Sequence, residues 1–332
     1  MRTKLYMIAL AAMTMMLGSC SESNSEFSQD FLADTPIKLN VSVDEPTTRA
    51  GYSNEVLPEG FWLTVDHYLD PDHNDRDDKY SYQVWVKKVG DSWKTYKLDE
   101  ETFVGTDEEV TMLWANMNDK VDVMAFTKEG EITISTDQTT PDALKKADFL
   151  AMPITEVKPT QSGINVEFKH AMSKINLTIE LGSEYEFSKE DVDTKITDVK
   201  IDGSAEKAKC LFGDPGAFDF KFDDHYGDPT PISPYHTGAT PYSKTNGAIT
   251  KAKATYEAIL IPQTIASGNF TVSFKVDGKL YEWAYNQDLT LDPSTAYTLK
   301  LIAGDDKVQP VSFSVAPWKA GNGENGEKKE TD

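Results

Sequence analysis

The sequence predicts an all-β protein made of two β-sandwich domains in tandem, and three observations carry that expectation. The chain has 332 residues, which at roughly 150 per domain leaves room for two. Apolar and polar residues alternate with a period of two along much of it, the pattern of strands with one buried face. Helical spacing is missing apart from one short segment, residues 142–150, and many short strands between polar turns argue for sandwiches.

Taken in order, Ile37, Leu39, Val41 and Val43 alternate with Lys38, Asn40 and Ser42. Tyr80, Tyr82, Val84 and Val86 repeat the pattern, then Val121, Val123 and Ala125, then Ile132 and Ile134. Lys158, Pro159, Thr160, Gln161, Ser162 and Gly163 interrupt it with turn-forming residues. That break sets the expected linker between an N-terminal domain over 37–158 and a C-terminal domain over 163–318. Ile164, Val166 and Phe168 then occupy even positions, whereas Ile175, Leu177, Ile179 and Leu181 occupy odd ones. A one-residue slip reverses every face, so a bulge or break is expected within residues 170–174. His170 at that break reads as a structural histidine whose ring satisfies backbone groups. The surest hairpin is Phe270, Val272, Phe274 and Val276, then Asp277 and Gly278, then 280–285, because Asp-Gly supplies the positive φ angles of a type I′ turn. Tyr297, Leu299 and Leu301 follow, then Val311, Phe313 and Val315 with Ser312 and Ser314 between them.

Composition excludes several functions. Acidic residues number 55 against 33 basic ones, a net charge of −22 that repels a phosphate backbone, so no nucleic-acid partner is expected. Two Cys and five His leave too few ligands for a Cys-rich zinc site or an iron–sulfur cluster, so neither a metal nor another cofactor is expected. The motifs of serine hydrolases, P-loop proteins and zinc proteases are missing, and no catalytic residue is assigned. Asp66, His67, Asp70, Asp72, His73, Asn74, Asp75, Asp77 and Asp78 form the densest polar cluster. Counted from Asp70, Asp75 stands where a calcium loop needs Gly and Ser81 where it needs Glu, so a solvated loop is expected ahead of an irregular calcium site. Residues 223–247 hold four Pro and three Gly with Tyr226, Tyr235 and Tyr242. They read as a loop, either covering a sheet edge or touching a glycan or protein, because proline removes a ladder donor.

At the N-terminus, Arg2 and Lys4 precede a mostly apolar run from Leu5 to Leu17, too short for a hydrocarbon core of about 30 Å but suited to a secretory signal. Leu17, Gly18, Ser19 and Cys20 resemble the bacterial lipobox, in which diacylglycerol is attached to the Cys and the peptide is cut before it. Residues 1–19 are therefore read as a lipoprotein signal peptide and Cys20 as the lipid attachment point. Cys210 is then left without an intramolecular partner and reads as a small buried hydrophobe. Residues 20–36 read as a tether, and 319–332, whose one apolar side chain is Ala320, as a disordered tail.

Further features fall in a telling order: the strand at 37–43 followed by Thr47, Thr48, Arg49 and Ala50, the F-K-H-A-M-S-K-I run from Phe168 to Ile175, the I-L-I-P-Q run from Ile259 to Gln263, the tyrosine strand at 296–301, and Trp318. With the lipobox, this order resembles the fimbrillin family of Bacteroidales, lipoprotein precursors of pilus subunits with two transthyretin-like sandwich domains. The resemblance implies export, lipidation at Cys20, an outer-membrane and surface-exposed location in a fimbrium, and cleavage by an arginine-directed protease between Arg49 and Ala50. The strand bearing Ile37, Leu39, Val41 and Val43 would then be the displaced element. Each of those side chains can contribute about 1.5 to 3 kcal/mol if fully buried, and loss of the strand leaves ladder groups unpaired. An extended segment of another subunit can refill the groove by β-augmentation. The implied partners are other fimbrial subunits, outer-membrane lipid through acylated Cys20, and a host or bacterial surface glycan or protein. The tail after Trp318 is polar where stalk subunits of the family are expected to supply an apolar donor strand. Either 311–315 itself swings out, or the chain is a tip, anchor or accessory subunit. The competing expectation is a surface lipoprotein that binds glycans and never polymerises.

Overall fold

The computed structural model describes residues 33–43, 57–99, 105–128, 131–212, 220–304 and 307–318. Its strands begin with β1 (Leu39–Val43), β2 (Gly60–His67), β3 (Tyr82–Val89), β4 (Ser92–Leu98), β5 (Gly105–Glu109), β6 (Val121–Phe126), β7 (Glu131–Thr133), β8 (Leu150–Val157) and β9 (Ile164–His170). They continue with β10 (Ser173–Leu181), β11 (Ile196–Asp202), β12 (Lys207–Phe212), β13 (Phe220–Tyr226), β14 (Tyr235–Thr240), β15 (Ser243–Thr245) and β16 (Ala248–Thr250). The last are β17 (Lys253–Leu260), β18 (Gln263–Ile265), β19 (Thr271–Val276), β20 (Lys279–Ala284), β21 (Leu289–Leu291), β22 (Thr295–Ala303) and β23 (Val308–Pro317). Among the described residues, two helices of seven residues, α1 (Pro141–Ala147) and α2 (Lys189–Lys195), interrupt an otherwise all-β arrangement.

One eight-stranded sheet runs in the order β1-β9-β8-β6-β2-β3-β4-β5, and a five-stranded sheet in the order β14-β17-β10-β22-β23. A three-stranded sheet, β11-β19-β20, joins the second assembly. Two apolar cores follow. The first gathers Phe61, Leu63, Val86, Val123, Val166 and Phe168. The second gathers Ile175, Leu177, Ile179, Phe274, Leu299 and Leu301. Both sets sit at alternate strand positions, as burial of one face requires. Trp85 lies across the backbone of its neighbours so closely that a Cβ on Gly60 or on Gly105 would come within 2.3 Å of the indole, which is why side-chain-free residues occupy both places.

Several expectations change here. Residues 158–163 close a hairpin between β8 and β9 of one sheet, and the chain passes to the five-stranded sheet at Ala171 and Met172 instead. Turn-forming residues announce a reversal, not whether the strands on either side share a sheet. The phase switch falls at that passage, with His170 as the last residue of β9. Ile132 and Ile134 belong to the second core, and β7 pairs with β12 rather than with its sequence neighbours. Residues 223–247 are not a plain loop: β14 pairs antiparallel with β17 at the sheet edge, where flanking prolines cost no inner ladder bond. The helical segment starts at Pro141 and is capped by Thr140, whose side chain accepts from the Ala143 N–H, and it stops before β8 begins at Leu150. The end of the tether is fastened, since the Asp34 N–H donates to Trp114 O and the Ile37 N–H to Met112 O, both at 2.9 Å.

Candidate functional site

The first candidate is β1. It pairs in parallel with β9, Leu39 beside Ile164 through Val43 beside Phe168. The odd positions face inward as the alternation requires: Val43 is buried at 2% exposure, while Ile37, Leu39 and Val41 are partly buried against the same core. Gly163 holds φ at +87°, and a Cβ there would sit 2.1 Å from Lys38 O, so only glycine lets the β8–β9 turn meet the start of β1. Asn40 reinforces the join by donating through Nδ2 to Ser162 O and Asn165 Oδ1, both at 3.0 Å.

On its other side β9 pairs with β8 only at His170 with Leu150 and Lys169 with Ala151. Over Ile164–Phe168, β1 is therefore the one strand partner of β9 among the described residues. Where β8 and β9 part, a cavity of about 520 Å³ opens, lined by Thr155, Glu156, Lys158, Asn165, Glu167 and Lys169. Its two carboxylates and two ammonium groups cancel, so it selects no ion by charge. Cys20, Arg49 and Ala50 lie outside the described residues, as does the tail from 319.

The second candidate is the C-terminal strand. β23 pairs antiparallel with β22, and its last contact is an anchor: the Trp318 indole, 4% exposed, stacks on the His170 ring at 4.0 Å and 10°. The Trp318 N–H donates to Ser294 O at 2.6 Å, and the Ser294 hydroxyl donates to His170 O. His170 is held from the other side by the buried Asp148 carboxylate, 2.9 Å from Nδ1. Lys174 lies 5.9 Å over the indole and pairs with Glu257 at 3.0 Å, and burial, partly offset by Glu257, lowers its ammonium below the ordinary lysine value. His170 is thus structural, but its partner is a carboxylate 22 positions away rather than the backbone. Nothing local in the sequence distinguishes Asp148 from other acidic residues.

The acidic cluster spends its groups on itself. The Asp70 carboxylate accepts N–H groups from Asp72, Asn74 and Asp75, and these bonds, Asn74 first, hold its acid below the ordinary aspartate value. His67 Nδ1 lies 3.2 Å from Asp77, and His73 Nδ1 lies 2.9 Å from Asp122, whose acid burial raises despite that histidine. Among the described residues no group of three or more His, Cys, Asp or Glu is placed to hold a metal ion. Tyr235 and Tyr242 pack against the second core instead of standing out as a platform for a saccharide.

These features define a class: an all-β sandwich protein with an apolar strand at one sheet edge and an anchored C-terminal strand at another. The chain belongs to the fimbrillin-like family, whose family model matches residues 78–318. Membership supports a fimbrial subunit role at the cell surface and points to a structural, non-enzymatic protein. Among the solved structures that share the fold are two candidate cell adhesion proteins. One, a candidate cell adhesion protein from Bacteroides ovatus, is 16% identical with a TM-score of 0.55, over 86% of this chain and 98% of its own. The other, a candidate cell adhesion protein from Bacteroides uniformis, is 15% identical with a TM-score of 0.52, over 86% and 98%. No curated protein matches the chain.

Proposed function

We propose that this chain is a fimbrial subunit exported as a lipoprotein, acylated at Cys20 and carried to the outer membrane. In this reading it consists of two transthyretin-like sandwiches, and it is primed for assembly by a cut between Arg49 and Ala50. The supporting observation is the position of β1. It precedes Arg49 in sequence, and over Ile164–Phe168 it is the strand partner of β9 among the described residues. A cut after Arg49 severs the covalent link between β1 and the rest of the chain, leaving a short parallel ladder and four apolar side chains to hold it. A segment of a neighbouring subunit that refills the position regains both the hydrogen bonds and the burial. The anchoring of Trp318 favours a chain that accepts a neighbour without donating β23, the behaviour of a tip, anchor or accessory subunit.

N-terminal sequencing of the surface-exposed form tests the reading. A sequence starting at Ala50, together with polymers that form only after trimming, supports it. Assembled fibres whose subunits still carry residues 20–49 in one chain overturn the cut, and a trimmed protein that stays monomeric overturns the strand exchange.

A further inference from the structure

A second contact surface lies along the far edge of β23. Among the described residues, Val311–Val315 have β22 on one side and no strand on the other. Val311 and Val315 are 50% and 59% exposed, so two of the large apolar side chains left in solvent lie on this one strand. Between Val311 and Val315, Phe313 is partly buried and packs on Tyr285 with ring centroids 5.1 Å apart. Long apolar edges of this kind are normally blocked by charge, proline or a bulge. Here residues 311–316 carry no charge, Pro310 and Pro317 stand outside them, and the ladder to β22 is irregular only at the Val311 end.

The segment is a palindrome, Val311-Ser312-Phe313-Ser314-Val315. In an antiparallel pair of identical strands centred on Phe313, each Val311 faces the other copy's Val315, each Ser312 faces a Ser314, and the two Phe313 face each other. Shifting the centre to Val315 sets Phe313 opposite Pro317, which lacks an N–H, so the prolines disfavour that register and limit the ladder to about six residues. We propose that β23 pairs with β23 of a second copy of this chain across a two-fold axis, joining two five-stranded sheets into one. Such an isologous contact closes on itself, so it makes dimers rather than filaments. The contact is one strand edge wide, well under the roughly 1,200 Å² at which standard interfaces begin, and the dimer is accordingly weak and reversible. The net charge of −22 on each copy opposes it at a distance, whereas the uncharged edge adds no local repulsion, so added salt tightens the dimer.

The proposal goes beyond the cleavage reading and is tested on the uncut full chain, purified in mild detergent, by sedimentation velocity across micromolar to millimolar concentrations. A reversible monomer–dimer equilibrium is expected, strengthened by salt. Val315→Lys, which meets Val311 twice across the axis, weakens it by about tenfold or more, and Val311→Lys with Val315→Lys weakens it further. An equimolar mixture of S312C and S314C chains forms a disulfide-linked heterodimer under mild oxidation, and either variant alone forms far less. A chain that stays monomeric at every concentration and salt level overturns the proposal. So does a dimer that Val315→Lys leaves unchanged, or one that yields no mixed disulfide.

Discussion

The two terminal strands solve the problem of an edge in opposite ways. β1 is five residues long, runs parallel to its neighbour and turns its apolar side chains inward. β23 is ten residues long, runs antiparallel and leaves most of its side chains exposed. β1 is held mainly by what its side chains bury, whereas β23 is held by a long ladder and by one aromatic anchor, Trp318 on His170. The contrast teaches that an edge strand can be either retained by burial and still removable, or pinned at one end and still open to pairing along its length. A single cut in the connection after β1 leaves burial as its main tie, while no comparable cut frees β23 without breaking the anchor.

The largest expected effect comes from the anchor. Trp318→Ala removes a buried indole, and a loss of about 3 to 5 kcal/mol is expected in urea or thermal unfolding. If the anchor holds β23, protection of its amides from hydrogen exchange falls more than that of β1; equal loss in both strands breaks the contrast. Next, Val43→Ala deletes two methyl groups from the inward face of β1 and is expected to cost about 1.5 kcal/mol at about 0.8 kcal/mol each. Leu39→Ala, at a partly buried position, costs less than the loss of about 2–5 kcal/mol seen at fully buried sites. A smaller, pH-dependent effect sits on β10, between β17 and β22. Burial pushes the Glu180 carboxyl up, but Lys300 and Lys251 outweigh it and hold it below the ordinary glutamate range. An acid depressed in the folded state stabilises above its unfolded value, about 4.3, and that stability is lost as pH falls through the folded value. Glu180→Gln is therefore expected to lower stability at neutral pH, where the paired carboxylate contributes, to change little at low pH, where that contribution is already lost, and so to flatten the acid limb of the stability profile. The smallest effect is that of Val315→Lys on the unfolding free energy of the monomer, within about 0.5 kcal/mol, because the side chain is already in solvent.

Much of the fold was legible because strands with one wet face write their register into the sequence. The Asp277-Gly278 pair predicts a type I′ turn, and the two residues adopt φ of 50° and 82° between β19 and β20. Alternation over Ile37 to Val43 predicts one strand, and β1 occupies most of it. The helix α2 was missed although Ser188 and Asp191 form a capping box, because seven residues are too few to show a helical stripe. The pairing of β7 with β12 was beyond reach, since its residues are some seventy positions apart and alternation names a strand's face but not its neighbour. The same limit applies to the anchor, since nothing in the sequence joins His170 and Trp318 to each other or to Asp148.

The sequence by itself determined the class of structure, the inward faces of its strands and the family order of motifs, because alternation, turn chemistry and charge are local properties that survive any arrangement of the strands. Tertiary structure alone decided which strands are edges, that residues 158–163 turn back within one sheet, and that a histidine, a carboxylate and a C-terminal tryptophan meet in one buried place. Those outcomes depend on which surfaces find each other once loop closure has brought distant segments together, and that choice is made by packing rather than by any single stretch of chain.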